Sequence, residues 1–252
     1  MNQLSPQFHV LAPDLLDAGK GPAWPANQAV SLGDEVRLLE TVFARAGAPF
    51  ALVGHSYGAA VALMAALTCP RRAMVLYAPT LFSLLEQEAP GGEAVDGIRQ
   101  ATARAAEAID AGDTAIAARQ GPVAASMGNV CGWASALFAD PTPLNAFCAL
   151  GMPILYRVSG RSPASSLGVA RLLCKVLSQA RMLAFPDLGH MGPSDVSQAR
   201  EWRDQALFVA ALSLLYGCPH RDGRLCSAQD RSKSGRFFLL LPPIRGRLPI
   251  QR

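Results

Sequence analysis

Long apolar runs and a secretion signal are both missing from this sequence. No apolar stretch reaches the roughly 20 residues that a membrane-spanning helix needs, and no basic region followed by an apolar one opens the chain. We therefore expect a soluble, cytoplasmic protein without a membrane partner. Charged residues are also scarce, at 17%, whereas half of the 252 residues are hydrophobic, which is enough to build one large core.

A basic surface is missing from most of the chain, although the net charge is +4. Residues 217–252 contain eight Lys/Arg and two Asp and so carry +6, which leaves −2 for the preceding 216 residues. No nucleic-acid partner is therefore expected for this main body. Arg, Ser, Gly and Pro dominate residues 217–252, and we predict a basic, disordered tail there, with anion or nucleic-acid binding as the alternative.

Cysteines with the spacing of a metal site are also lacking. The six cysteines lie far apart, and four of them fall in apolar, helix-like segments, which favours buried free thiols in a reducing compartment. Cys218, His220 and Cys226 do not have the paired spacing of a zinc site. We therefore predict no metal and no other cofactor.

What the sequence does contain is an alternation of buried strands and helices. Strands are expected at 8–12, 50–53, 73–77, 153–158 and 182–185, and helices at 31–46, 59–67, 96–119, 165–177 and 194–216. This order predicts an α/β fold with a mostly parallel sheet and helices on both faces. One domain is expected at 1–216, with a helical cap insertion at about 81–140 that covers the site.

The most informative stretch reads Val-Gly-His-Ser-Tyr-Gly at 53–58, between an apolar strand and an alanine-rich helix. It fits G-x-S-x-G, the nucleophile elbow, which raises the Ser56 hydroxyl above the end of a sheet. Side chains at Gly54 and Gly58 would collide when the turn closes. The pattern predicts Ser56 as a nucleophile and the backbone N–H of Tyr57 as an oxyanion donor, with an ordinary glycine-rich turn as the alternative.

A base for this serine is predicted at His190. A serine hydroxyl is a poor nucleophile at neutral pH and needs a base within hydrogen-bond reach. His190 follows the last predicted strand, whereas His9 lies within a strand and His220 lies in the C-terminal segment. His55 is adjacent to Ser56, and we expect its side chain to point into the protein, away from the partner of Ser56.

These residues resemble the α/β-hydrolase family over about residues 8–216. The likeness rests on the elbow, the Ala-Pro-Asp loop at 12–14, the insertion after the strand at 73–77, and Gly189-His190 after the last strand. The resemblance implies a serine hydrolase that acts on a small ester, thioester or related acyl substrate. Amide and C–C bond hydrolysis belong to the same serine branch, whereas Ser56 excludes the branches with an aspartate nucleophile.

The sequence also departs from this family. The triad acid of relatives usually lies in a G-x-x-D pattern, but residues 160–163 read Gly-Arg-Ser-Pro, and residues 77–80 also lack a carboxylate, which leaves Asp140 and Asp187 as candidates. Relatives also have about three earlier strands and a His-Gly oxyanion loop, which residues 1–7 cannot hold, so an N-terminally truncated fold is expected. The alternative function is therefore a non-catalytic or degenerate hydrolase-like protein.

Overall fold

The computed structural model describes residues 9–25, 28–47, 50–68, 73–111, 130–190 and 237–241. In chain order the elements are β1 (His9–Leu11), α1 (Leu32–Ala46), β2 (Ala51–His55), α2 (Tyr57–Thr68), β3 (Ala73–Tyr77), α3 (Ser83–Glu88), α4 (Glu93–Asp110), α5 (Val130–Ala139), a 3-10 helix (Leu144–Ala149), β4 (Ile154–Arg161), α6 (Ala164–Val176), β5 (Ala180–Gly189) and β6 (Phe237–Leu241). The predicted helix at 194–216 lies outside the described residues.

A six-stranded sheet with the order β1-β6-β2-β3-β4-β5 organises these elements. The four strands from β2 to β5 run parallel to one another, and β6 is antiparallel to both of its neighbours. The predicted α/β fold with a mostly parallel sheet is confirmed. Strands β2, β3 and most of β4 are buried, as inner strands of a parallel sheet are, whereas β5 lies at one edge of the sheet and is exposed at about half of its positions.

Strand β6 shows that the prediction of disorder for residues 217–252 is wrong at Phe237–Leu241. Phe237 pairs with Gly54 of β2, and Leu241 pairs with His9 of β1. The composition of the whole segment is polar, but this short run is entirely apolar, and its backbone groups complete the hydrogen bonds of the strands on either side. The flanking residues 217–236 and 242–252 lie outside the described part of the chain.

Helix α1 begins with a capping box that Ser31 and Asp34 form. The Ser31 hydroxyl accepts a hydrogen bond from the Asp34 N–H at 3.2 Å, and the Asp34 carboxylate accepts one from the Ser31 N–H at 2.7 Å. This reciprocal pair satisfies two backbone donors at the start of the helix, and the hydrogen bond from the Ser31 backbone lowers the pKa of Asp34. The buried face of the helix includes one charged residue, Glu35, among apolar ones.

Helices α3, α4 and α5 lie between β3 and β4, where the helical insertion was predicted. Residues 112–129 of this segment are outside the described ranges, and its role as a cap stays a prediction. Trp133 of α5 stacks on Tyr57 at a centroid distance of 4.3 Å, and Phe138 lies 5.4 Å from Phe82. The insertion therefore packs directly against the first residue of the helix that follows the elbow.

Candidate active site

The elbow is a one-residue turn, because β2 ends at His55 and α2 begins at Tyr57. Ser56 between them has a φ of 55°, in the left-handed region that costs a non-glycine residue about 1–3 kcal/mol. Its N–H donates to the Tyr77 carbonyl at 3.0 Å, and its carbonyl accepts from the N–H of Ala59 at 3.0 Å. These backbone hydrogen bonds hold the strained residue at the carboxyl end of the parallel strands.

Gly54 allows the elbow to close. A Cβ atom added at this position would lie 2.4 Å from the carbonyl oxygen of Gly58 and 2.5 Å from the Cα of Ala59. Both contacts are with backbone that cannot move aside without opening the turn. The structure therefore supports the steric reason that the sequence predicts for a glycine at position 54.

His190 lies beside Ser56 across the carboxyl end of the sheet. Its Nε2 is 2.9 Å from the Ser56 Oγ, although the two residues are 134 positions apart in sequence. This distance is within the range of a hydrogen bond through which a base can take the proton of a serine. The structure thus brings together the two side chains that the sequence singles out.

The turn that carries His190 is fixed through its backbone. The His55 Nε2–H donates to the His190 carbonyl at 2.8 Å, and the Tyr77 hydroxyl donates to the Gly189 carbonyl at 3.0 Å. The rings of His55 and His190 are also 5.4 Å apart. The expectation that His55 points away from the partner of Ser56 is therefore wrong, because its ring donates a hydrogen bond to the backbone of His190.

The other ring nitrogen of His190 faces a serine. Its Nδ1 lies 3.3 Å from the Oγ of Ser166, a residue of the first turn of α6 that is only 2% exposed. Asp187 is 76% exposed and pairs with Arg161 at 3.8 Å, and the buried Asp140 accepts the N–H of Thr142 at 3.0 Å. Within the described part of the chain, no carboxylate forms a hydrogen bond with His190.

Burial lowers the pKa of His190 from its ordinary 6.5 to about 4. The imidazole is poorly solvated there, and the charged form loses more hydration free energy on burial than the neutral form does. The ring is therefore neutral at pH 7, so that one of its two nitrogens carries a lone pair that can accept a proton. This is the protonation state that a general base requires.

Tyr57 connects the elbow to a buried carboxyl group. Its hydroxyl donates to the Glu35 Oε1 at 3.0 Å, and the Leu16 N–H donates to Oε2 at 3.2 Å. Burial raises the pKa of Glu35 to about 7, against the lowering effect of these two hydrogen bonds. The backbone N–H of Tyr57 opens α2, where helical N–H groups have no intrahelical acceptor, and it donates to no other described residue.

Arg157 is a buried cation on the strand between the elbow side and the histidine side of the sheet. Its guanidinium lies 4.6 Å from the ring centroid of Phe185 and 5.9 Å from that of Tyr77. Burial lowers its pKa to about 10. Ser159, on the same strand, shares a short hydrogen bond with the Tyr77 hydroxyl, so that β4 supports the tyrosine that holds the His190 turn.

Nothing in the described part of the chain resembles a metal centre. No group of three or more His, Cys, Asp or Glu side chains is placed there to hold a metal ion. Cys148 and Cys174 are free thiols, and Cys148 is exposed rather than buried as predicted. Cys218, His220 and Cys226 lie outside the described ranges.

Membrane-spanning helices are not found in the described part of the chain. None of its helices combines the length and the apolar composition needed to cross a membrane.

Sequence reasoning missed Glu35, Tyr77 and Ser166. A carboxyl group on the buried face of α1 was a detectable signal, because it interrupts an apolar stripe. Tyr77 occupies the end of the strand after the elbow, where the family pattern predicts a carboxylate and gives no role to a tyrosine hydroxyl. The contact of Ser166 with His190 joins two elements with no local pattern in common, and only the folded chain reveals it.

Comparisons with known proteins agree with this architecture. The profile of the alpha/beta hydrolase family matches residues 1–212. Similar solved structures include MenH from S. aureus, with 13% identity, coverage of 81% of this chain and 82% of that one, and a TM-score of 0.60. The esterase EaEST from Exiguobacterium antarcticum has 14% identity, coverage of 79% and 80%, and a TM-score of 0.58. At such identities the likeness shows the fold alone.

A third similar structure is MGS-M2, an alpha/beta hydrolase enzyme from a Medee basin deep-sea metagenome library. It has 16% identity, coverage of 84% of this chain and 80% of that one, and a TM-score of 0.52. A search of curated protein sequences found no match. Because the family profile spans well over half of the residues, the chain belongs to the alpha/beta hydrolase family.

Proposed function

We propose that this chain is a serine hydrolase that cleaves a small ester, thioester or related acyl substrate, with Ser56 as nucleophile and His190 as general base. The observation that carries the proposal is the 2.9 Å distance between Ser56 Oγ and His190 Nε2 at a strained elbow. Backbone strain of this kind is typical of active-site residues that the surrounding structure holds in a fixed position. Small-molecule substrates agree with the family of the chain.

The reaction follows from the arrangement of these groups. His190 Nε2 takes the hydroxyl proton while Ser56 Oγ bonds to the acyl carbon, and the carbonyl oxygen becomes an anion. The N–H of Tyr57 donates to that oxygen, next to the positive end of α2. His190 then returns the proton to the leaving group as the acyl–oxygen or acyl–sulfur bond breaks. A water molecule repeats the two steps and releases the acid from Ser56.

Among the described residues His190 has no carboxylate partner, and this sets the rate we expect. In serine hydrolases the acid orients the histidine and stabilises the imidazolium, and disabling it costs on the order of 10⁴ in kcat. The rest of the machinery still exceeds the uncatalysed reaction by on the order of 10³ or more. We therefore expect a slow hydrolase.

Labelling of the folded protein with a fluorophosphonate tests the proposal. We expect covalent labelling at Ser56, loss of labelling in Ser56→Ala, and hydrolysis of short-chain p-nitrophenyl esters or acyl thioesters that the same variant abolishes. Ser83→Ala is a matched control, because Ser83 is equally buried and its hydroxyl has no partner among the described residues. It should label as the wild type does.

The competing function is a non-catalytic, hydrolase-like protein, and the neutral partner of His190 is the observation in its favour. It predicts a folded wild-type protein that fluorophosphonate does not label, and ligand binding that Ser56→Ala leaves unchanged. The absence of labelling in folded wild-type protein would overturn the proposed hydrolase, because an activated serine reacts with this probe. A cytoplasmic location stays a prediction from the sequence.

A further inference from the structure

Among the described residues, each ring nitrogen of His190 faces one side-chain hydroxyl, and both belong to serines. Ser56 Oγ is 2.9 Å from Nε2, and Ser166 Oγ is 3.3 Å from Nδ1. Ser166 is 2% exposed and comes from the first turn of α6. The ring is thus held in line between two hydroxyl groups.

We propose that Ser166 is a positioning residue that takes the place of the triad acid: its hydroxyl accepts the Nδ1–H of His190 and so keeps the lone pair of Nε2 directed at Ser56. This inference rests on the proposed function. It assigns to the site a Ser-His-Ser relay in which the third member is neutral.

The argument turns on the tautomer of the imidazole. A neutral imidazole has one N–H, on either Nδ1 or Nε2, and only the Nδ1–H form leaves Nε2 able to accept the proton of Ser56. A serine oxygen has two lone pairs and can accept the Nδ1–H as a carboxylate does. A hydroxyl at this point therefore provides the orientation that an acid gives.

A hydroxyl does not provide the negative charge of an acid. Among the described residues, the groups that face His190 are the His55 ring at 5.4 Å, the Tyr77 hydroxyl on the adjacent carbonyl, and the hydroxyls of Ser56 and Ser166 at its ring nitrogens. The Arg157 guanidinium lies farther away, beside the ring of Tyr77. Carboxylates are absent from this set, and the N-terminal end of α6 disfavours a further positive charge. These surroundings are consistent with the low pKa of His190.

Nuclear magnetic resonance of protein with ¹⁵N-labelled histidine tests the inference without relying on activity. In the wild type we expect His190 as the Nδ1–H tautomer, and in Ser166→Ala a shift towards a mixture of the two forms. Ser165→Ala is the matched control, because Ser165 is 3% exposed on the same turn and has no hydrogen bond to His190 among the described residues. A wild-type Nε2–H tautomer, or no change in Ser166→Ala, would overturn the inference.

The rate of fluorophosphonate labelling provides the second readout. A neutral hydrogen bond contributes about 0.5–1.5 kcal/mol, so Ser166→Ala should label roughly two- to twelvefold more slowly, and Ser165→Ala should not. Ser166→Asp should move the pH at which labelling declines upwards, since a carboxylate favours the imidazolium. Equal labelling of Ser166→Ala and wild type would reduce Ser166 to a structural residue. If the wild type is never labelled, the hydrolase proposal fails, while the tautomer still decides the role of Ser166.

Discussion

The two halves of the candidate site are built in different ways. Ser56 is positioned by its own neighbours in sequence: Gly54 gives the turn room, and the N–H of Ala59 caps the Ser56 carbonyl. His190 ends an edge strand and is positioned by distant residues, since His55 and Tyr77 hold its turn from 135 and 112 positions away. The nucleophile therefore depends on local backbone geometry, and the base depends on the completed sheet.

This difference teaches which changes each half tolerates. The elbow is sensitive to any atom added at its glycine, because the surrounding atoms are backbone. The turn that carries His190 is held through the carbonyl groups of Gly189 and His190. Its conformation should therefore depend more on the donors of His55 and Tyr77 than on the side chains of the turn itself. Variants at the two places should separate loss of the fold from loss of reactivity.

The largest effect is expected from Gly54→Ala. The added methyl would lie 2.4 Å from the Gly58 oxygen, and overpacking against rigid backbone costs about 3 kcal/mol or more. Chemical denaturation should show this loss in the free energy of unfolding. Gly151→Ala is the control, because a Cβ atom there meets no atom within 4 Å, and it should change stability by less than about 0.5 kcal/mol. Equal stability of the two variants would contradict the close approach at the elbow.

His55→Phe should separate positioning from folding in the other half. The variant keeps an aromatic ring but loses the donor to the His190 carbonyl, and a misplaced base costs on the order of 10- to 100-fold in rate. We expect the fluorophosphonate labelling rate to fall by such a factor while the circular dichroism spectrum of the native fold is retained. Tyr77→Phe should act in the same direction, and the double variant should lose less than the product of the two factors, because both donors hold one turn.

If His55→Phe labels at the wild-type rate, the contact with His190 is incidental. In that case His55 and Tyr77 would not act on the same turn. The effects of His55→Phe and Tyr77→Phe on the free energy of unfolding would then be additive in the double variant.

The same contrast explains what the sequence could predict. The mostly parallel sheet and the strand-turn-helix arrangement of the elbow follow from short patterns, and the structure confirms both. The partners of His190 could not be predicted in this way, because β-sheet pairing brings together residues that share no periodicity. Strand β6 could not be predicted for a related reason: residues 217–252 are polar on average, and the five apolar residues among them pair with strands that lie far away in sequence.

Two buried titrating groups should give opposite pH dependences of stability. The pKa of His190 is about 4 in the folded state, below its ordinary 6.5, so protonation favours unfolding as the pH falls through this window. The pKa of Glu35 is about 7, above its ordinary 4.5, so ionisation favours unfolding as the pH rises from 4.5 to 7. Between pH 4.5 and 6.5 the two effects oppose each other.

Glu35→Gln should expose the contribution of His190. The amide oxygen can still accept the Leu16 N–H, while the Tyr57 hydroxyl can turn to accept the amide N–H. The free energy of unfolding of the variant minus that of the wild type should increase with pH between 4.5 and 7, by up to about 1.4 kcal/mol per pH unit. Urea denaturation at several pH values measures this difference. A constant difference between the two proteins across the window would show that Glu35 titrates alike in the folded and unfolded chains.

The smallest effect is expected from Asp187→Asn. The carboxylate is 76% exposed and interacts with Arg161 at 3.8 Å, and such surface pairs contribute about 0–1 kcal/mol. Labelling of Ser56 should be unchanged, since Asp187 does not touch His190 in the described structure. A large loss of labelling in this variant would instead make Asp187 the acid of a triad that forms only when a ligand binds.

The place of β6 also has a consequence for the order in which the protein forms. Leu240 pairs with Ala51 and Val10, which lie about two hundred residues earlier in the chain. During synthesis on the ribosome, β1 and β2 have no strand between them until Leu241 has emerged, although the elbow and its parallel neighbours are already complete. Contacts of such long range form slowly, and the edges of β1 and β2 that pair with β6 stay without this partner until Phe237–Leu241 has been synthesised.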